Sequence, residues 1–110
     1  MSIVKVDYGE VGGGISIADA DFRYKPMSSS PTTFNLSDNS KIYLCFVGRT
    51  ASGYESQTYA SIIKNGTMTA LHNTLPSQYY NTPTFSNGTF SVSWASGSPG
   101  TQICIVTITP

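Results

Sequence analysis

Apolar and polar positions along this chain alternate mostly with a period of two. Phe90, Val92 and Trp94 alternate with Ser91, Ser93 and Ala95, the pattern of a half-buried strand. Asn87-Gly88 precedes that run and supplies the pair a type I′ hairpin turn needs, because both central residues must take a positive φ. Asn65-Gly66 repeats the signal between Thr58–Lys64 and Thr67–His72, predicting a second hairpin with Met68, Ala70 and His72 on one face. Two segments break the alternation by being apolar at both parities: Lys41 to Val47 and Ile103 to Ile108. Such runs predict strands covered on both faces at the centre of a β core. Thr33–Leu36 reads as a further short strand closed by the Ser37–Ser40 turn cluster. No stretch of ten residues carries a helical stripe with caps. About eight short strands at this spacing predict an all-β fold, an antiparallel β-sandwich of jelly-roll type.

The first 31 residues read differently. Ile3 to Tyr8 is a short strand, Gly9 and Gly12-Gly13-Gly14 interrupt it, and Ser28-Ser29-Ser30-Pro31 is loop-like. The expected organisation is an extended N-terminal arm over 1–31 followed by a sandwich domain over 32–110. Ile3, Val4, Val6 and Tyr8 would be the arm's docking residues, because an extended segment can add to a neighbouring sheet edge through main-chain hydrogen bonds.

Length and composition bound the function. A chain of 110 residues is one domain with room for one core. Charged residues are 11% of the chain, less than half the usual share, and the net charge is zero. With no basic run, electrostatic attraction to nucleic acid or an anionic membrane is not expected. No apolar run is long enough to span a bilayer, and the opening residues lack a signal-peptide core, so synthesis in a cytoplasm is expected. All acidic and basic residues lie between Lys5 and Lys64. The uncharged remainder fits either a face hidden in an assembly or a surface solvated by Ser and Thr hydroxyls.

Candidate chemistry is sparse. His72 is the single histidine and no acid follows it, so a nucleophile–base triad is not expected. Asp19, Asp21, Asp38 and Glu55 give no evident carboxylate pair, and the Gly9–Gly14 region lacks the ending of a phosphate loop. Cys45 and Cys104 fall mid-strand in apolar company; buried thiols are the default and a cross-strand disulfide is the alternative. Two cysteines and one histidine far apart make no metal site, and no cofactor is expected. The better clue to binding is aromatic. Tyr54, Tyr79 and Tyr80 fall in predicted loops among Gly, Ser, Gln and Asn, where a tyrosine ring can stack on a sugar face. The competing reading is that one of each pair packs inward to close the sandwich. Trp94 shares parity with Phe90 and Val92 and is expected in the core.

Residues 1–14, Met-Ser-Ile-Val-Lys-Val-Asp-Tyr-Gly-Glu-Val-Gly-Gly-Gly, resemble the opening of small structural proteins of phage and prophage tail or virion clusters. The resemblance covers about an eighth of the chain. It implies a non-enzymatic virion component, a tail-tip, fibre-head or decoration protein made in a bacterial cytoplasm. The implied partners are further copies of the chain in a trimer or ring, other virion proteins, and cell-surface glycan. The alternative function is a stand-alone carbohydrate-binding module with Tyr54, Tyr79 and Tyr80 as its platform.

Overall fold

The computed structural model describes residues 2–5 and 19–110, with side chains described from residue 21 onward. Among the described residues nine strands form two antiparallel sheets: β1 (Ser2–Lys5), β2 (Asp19–Pro26), β3 (Thr32–Asn35), β4 (Ile42–Arg49), β5 (Thr58–Lys64), β6 (Thr67–Asn73), β7 (Thr84–Ser86), β8 (Thr89–Val92) and β9 (Thr101–Thr109). The larger sheet has the order β1-β2-β9-β4-β5-β6 and the smaller β3-β8-β7. The fold is therefore all-β, an antiparallel sandwich, as the alternation predicts. No described helix is long and apolar enough to cross a membrane.

Both Asn-Gly turns form as read. Asn65 and Gly66 have φ of 52° and 75°, and Asn87 and Gly88 have 50° and 76°. At Gly88 a second constraint applies, since a Cβ there would lie 2.7 Å from Cβ of Ser37. The Leu36 amide also donates to the Gly88 carbonyl at 2.7 Å, so this turn is held against the chain leaving β3.

The core lies between the sheets. From the larger sheet come Tyr43, Cys45, Val47, Tyr59, Ile63, Ile103 and Ile105; from the smaller and its flanks come Phe34, Leu36, Phe90 and Val92, with Met27. Tyr59 and Phe90 meet across the gap with ring centroids 6.4 Å apart. The smaller sheet alternates cleanly: Thr32, Phe34, Phe90 and Val92 are buried, whereas Thr33, Asn35, Thr84, Ser86 and Thr89 face outward and are exposed. That is a sheet with one face in the core and one in water.

The division into an arm over 1–31 and a domain from residue 32 needs correction. β2 pairs with β9 over eight positions, from Asp19↔Thr109 to Pro26↔Gln102, so it is an interior strand of the larger sheet. Met27 is buried and its amide donates to the Thr101 carbonyl at 2.9 Å. The charges in β2 conceal this. Asp21, Arg23 and Lys25 share the inner face by register, and the cationic groups of Arg23 and Lys25 both lie 6.0 Å from the ring centroid of Phe34. Lys25 is exposed and covers the open side of the core with its stem, whereas the Arg23 head lies inward, its Nη2 donating to Oγ1 of Thr107 at 3.4 Å and its Nε buried. Of the expected arm residues, Ile3 and Val4 lie in β1, paired with Asp21 and Ala20 of the same chain. Val6 and Tyr8 lie outside the described residues.

The apolar runs in β4 and β9 do sit centrally, as adjacent strands with β2 and β5 on their flanks. Coverage of both their faces does not follow. Register puts Tyr43, Cys45 and Val47 inside with Thr107, Ile105 and Ile103, and it puts Ile42, Leu44 and Phe46 outside with Ile108, Val106 and Cys104. Among the described residues no layer covers that outer face. Phe46 is 43% exposed, Tyr24 64% and Phe22 38%, whereas Val106 between them is buried and Leu44, Cys104, Ala60 and Ile62 are half-buried. Lateral centrality alone satisfied the backbone; the second apolar parity was left facing outward.

Candidate functional site

Two places gather side chains that could recognise something. The first is built by the loop after β4. Arg49 ends β4, and its backbone amide donates to the Gln57 carbonyl at 3.1 Å, closing the loop of residues 50–57. Within it the Tyr54 amide donates to the Ala51 carbonyl and the Gln57 amide to the Tyr54 carbonyl, each at 3.0 Å. The Gly53 amide donates to Oε2 of Glu55 at 3.0 Å. These bonds hold Tyr54 over the guanidinium of Arg49, with Cζ 4.2 Å from the ring centroid. Tyr79 arrives from the loop between β6 and β7, where the amides of Tyr79 and Tyr80 both donate to the Pro76 carbonyl at 3.0 Å. Its ring centroid is 5.0 Å from Cζ of Arg49. Nη1 of Arg49 donates to Oε1 of Gln57 at 2.9 Å, and Nε is buried with no hydrogen-bond partner among the described residues. Arg49 is thus the post on which both tyrosines stack, through the attraction of a cation to a ring face.

Of the three predicted tyrosines, the structure brings Tyr54 and Tyr79 together and removes Tyr80. Tyr80 is 3% exposed and its phenol lies 2.6 Å from Oγ1 of Thr101. Thr101 donates its own proton to the Pro99 carbonyl at 2.8 Å and accepts from Nε1 of Trp94 at 3.2 Å. With that donor in use, the Tyr80 phenol donates, and the threonine hydroxyl is fully satisfied with one bond given and two received. Tyr80 therefore closes the sandwich end, the inward role foreseen for one of the pair, and cannot stack on a ligand. Trp94 is half-buried against the core and bridges to Tyr80.

Classical catalytic groupings do not assemble among the described residues. His72 is exposed on edge strand β6, and its nearest polar neighbour is Thr74, with Nε2 and Oγ1 3.4 Å apart. Asp38 accepts from the amide and hydroxyl of Ser40, bonds that hold its carboxyl below the usual carboxylate range. No cluster of three or more His, Cys, Asp or Glu side chains is present among the described residues. The thiols are free and lie on opposite sides of the larger sheet, Cys45 inside and Cys104 outside. Burial pushes Cys45 up to about 12 and also raises Cys104, so neither is an activated thiolate.

The second place is the outer face of the larger sheet. One row across it reads Tyr24, Cys104, Phe46, Ala60; the next reads Phe22, Val106, Leu44, Ile62. Lys64, beyond Ile42 at one end, is the single charged residue of β2, β9, β4 or β5 that register assigns to this face among the described side chains. Gly48 lies at the other end, next to Gln102 and Thr58, and a Cβ on it would meet nothing within 4 Å. The missing side chain opens a notch of about 280 Å³ between Tyr24 and Phe46, floored by Gly48, Ala60 and Cys104. The Tyr24 phenol donates to Oε1 of Gln102 at 2.8 Å and so lies along the notch rim. Sequence reasoning did not single out Phe22, Tyr24, Phe46 or Gly48 as functional. The available signal was the apolar second parity in β4 and β9, which reads as burial when the chain is assumed to cover itself. No protein-family model, curated protein or solved structure matches this chain.

Proposed function

We propose that this protein is a non-enzymatic structural component of a phage-type virion, a tail-tip, fibre-head or decoration protein, and that it works by packing into an assembly. One observation carries the assembly part of this reading: the outer face of the larger sheet is apolar across four strands, and three of its aromatic side chains, Phe22, Tyr24 and Phe46, are exposed. Contiguous apolar patches of more than a few hundred Å² are uncommon on soluble monomers and mark interaction surfaces. The phage part rests on the resemblance of residues 1–14. Mass spectrometry of purified particles from a host carrying the gene tests it directly. The chain should be recovered in fixed stoichiometry with the other particle proteins; recovery only in the soluble lysate would refute a virion role.

A second reading, a carbohydrate-binding module, draws on Tyr54 and Tyr79 meeting over Arg49. Tyr54 is 46% exposed, and an aromatic ring backed by a guanidinium is a rigid platform for a sugar face. Glycan-array binding that disappears in Tyr54→Ala and survives in Tyr80→Phe would favour this module; no binding by the intact chain would dismiss it.

A further inference from the structure

We propose that the outer face of the larger sheet is occupied by a second copy of this chain, packed face to face about a twofold axis, with Phe46 of each copy seated in the other's Gly48 notch. This rests on the assembly reading above and names the partner.

Three features of the face select a like copy. The first is charge. Apart from Lys64 at one end, the face carries no ionised side chain on β2, β9, β4 or β5 among those described, so two copies meet without like charges opposed. A strongly acidic or basic partner would find nothing to pair with. The second is area. The four apolar strands at about 4.8 Å spacing, each about 25 Å long, give a face of roughly 480 Å² per copy, the size of a small, reversible interface. The third is shape. The face carries both a projection, Phe46, and an adjacent cavity of about 280 Å³. A twofold contact needs this self-complementarity, because one patch must serve as both halves of the interface. Phe46 is the better knob than Tyr24, whose phenol is already bonded to Gln102 on its own face.

Edge-to-edge association is disfavoured at β6. Between Ala60 and Ser61 the β5–β6 register shifts, leaving Leu71 as an extra residue, 63% exposed. A bulge on an edge strand bends it and interrupts its ladder, which guards against pairing with another sheet. Face-to-face packing also explains why β4 and β9 read as doubly covered: the second layer comes from another molecule.

Sedimentation of the full chain over a wide concentration range tests the proposal. The wild-type chain should reach twice its monomer mass. Phe46→Lys should remain monomeric, and Thr33→Lys on the other sheet's outer face should dimerise like the wild type. Gly48→Val gives a variant that separates docking from misfolding. It fills the notch with a strand-favouring residue without a clash in the single chain, so its melting temperature when dilute should hold or rise while dimerisation weakens roughly tenfold or more. Cys104 should react slowly with a thiol reagent in the dimer and faster in Phe46→Lys. A wild-type chain that stays monomeric at every concentration overturns the proposal, as does a dimer that Phe46→Lys and Gly48→Val leave intact. A monomer that still co-purifies with particles refutes self-docking and leaves the virion reading standing. A notch-dependent dimer absent from particles does the reverse.

Discussion

On the outside of the smaller sheet, Thr33, Ser91 and Thr84 lie side by side, and Asn35, Thr89 and Ser86 form the next row. On the outside of the larger sheet, the rows are Tyr24, Cys104, Phe46, Ala60 and Phe22, Val106, Leu44, Ile62. The inner faces are alike, both supplying large side chains to one core. The outer faces therefore differ for a reason other than folding. Hydroxyls on the smaller sheet are solvated at little cost and need no partner. Aliphatic and aromatic groups on the larger sheet forgo roughly 25 cal/mol for every Å² left in water, which burial against another surface would recover.

The sharpest test of that contrast lies in the inner faces, which should behave equally. Phe90→Ala and Ile105→Ala, one from each sheet, are both fully buried positions and should each cost about 3–5 kcal/mol in urea unfolding. Phe46→Ala, measured on the dilute chain, should cost about 1 kcal/mol, since roughly half of that side chain is already in water. A Phe46 effect as large as that of Phe90 would mean that the outer face is a covered core after all.

Gly88→Ala comes next in size. The turn needs a positive φ and the new Cβ would press on Ser37, so about 2–3 kcal/mol of stability should be lost, read as a lower denaturation midpoint. Gly48 sits in the larger sheet with open space beside it, so a β-branched residue there should not destabilise the dilute chain.

Alkaline titration gives a further handle on the larger sheet. The Cys45 thiol is held up at about 12 in the folded chain by burial and returns to its ordinary range of about 8.5 on unfolding. A raised folded value means that the unfolded chain gives up its proton first. Stability from this group is therefore intact below about pH 8.5 and falls by up to about 1.4 kcal/mol per pH unit as pH rises toward 12. Cys45→Ala should flatten that slope between about pH 9 and 10, before most phenols ionise; an unchanged slope would assign the alkaline loss elsewhere.

The smallest effects concern the loop end. Tyr80→Phe removes one buried hydrogen bond to Thr101 and should cost about 1 kcal/mol, whereas Tyr54→Ala should stay within about 0.5 kcal/mol. Equal costs for the two would contradict the separation of a structural tyrosine from an exposed one.

Much of this architecture was legible in the chain. The Asn-Gly pairs fixed two hairpins because their backbone requirement is local, and Phe90 and Val92 declared their face by alternation. β2 was not legible, because Asp21, Arg23 and Lys25 look like solvated loop residues until Phe34 is placed beneath the basic pair. Tyr80 could not be told from Tyr79 by sequence: adjacent residues with the same side chain differ only in which one Thr101 meets. The uncharged stretch after Lys64 does not by itself mark the apolar face. Its outward residues on the smaller sheet are Ser and Thr, while the apolar face draws on β2, β4 and β5 as well as β9.

The alternation of a strand also decides what oxidation can do here. Cys45 and Cys104 occupy neighbouring strands but project to opposite sides of the sheet, a geometry no disulfide can span. An oxidant therefore has no means of stapling this chain to itself. Any sulfur–sulfur bond it forms must tie one molecule to a different one, with Cys104 as the hand it offers.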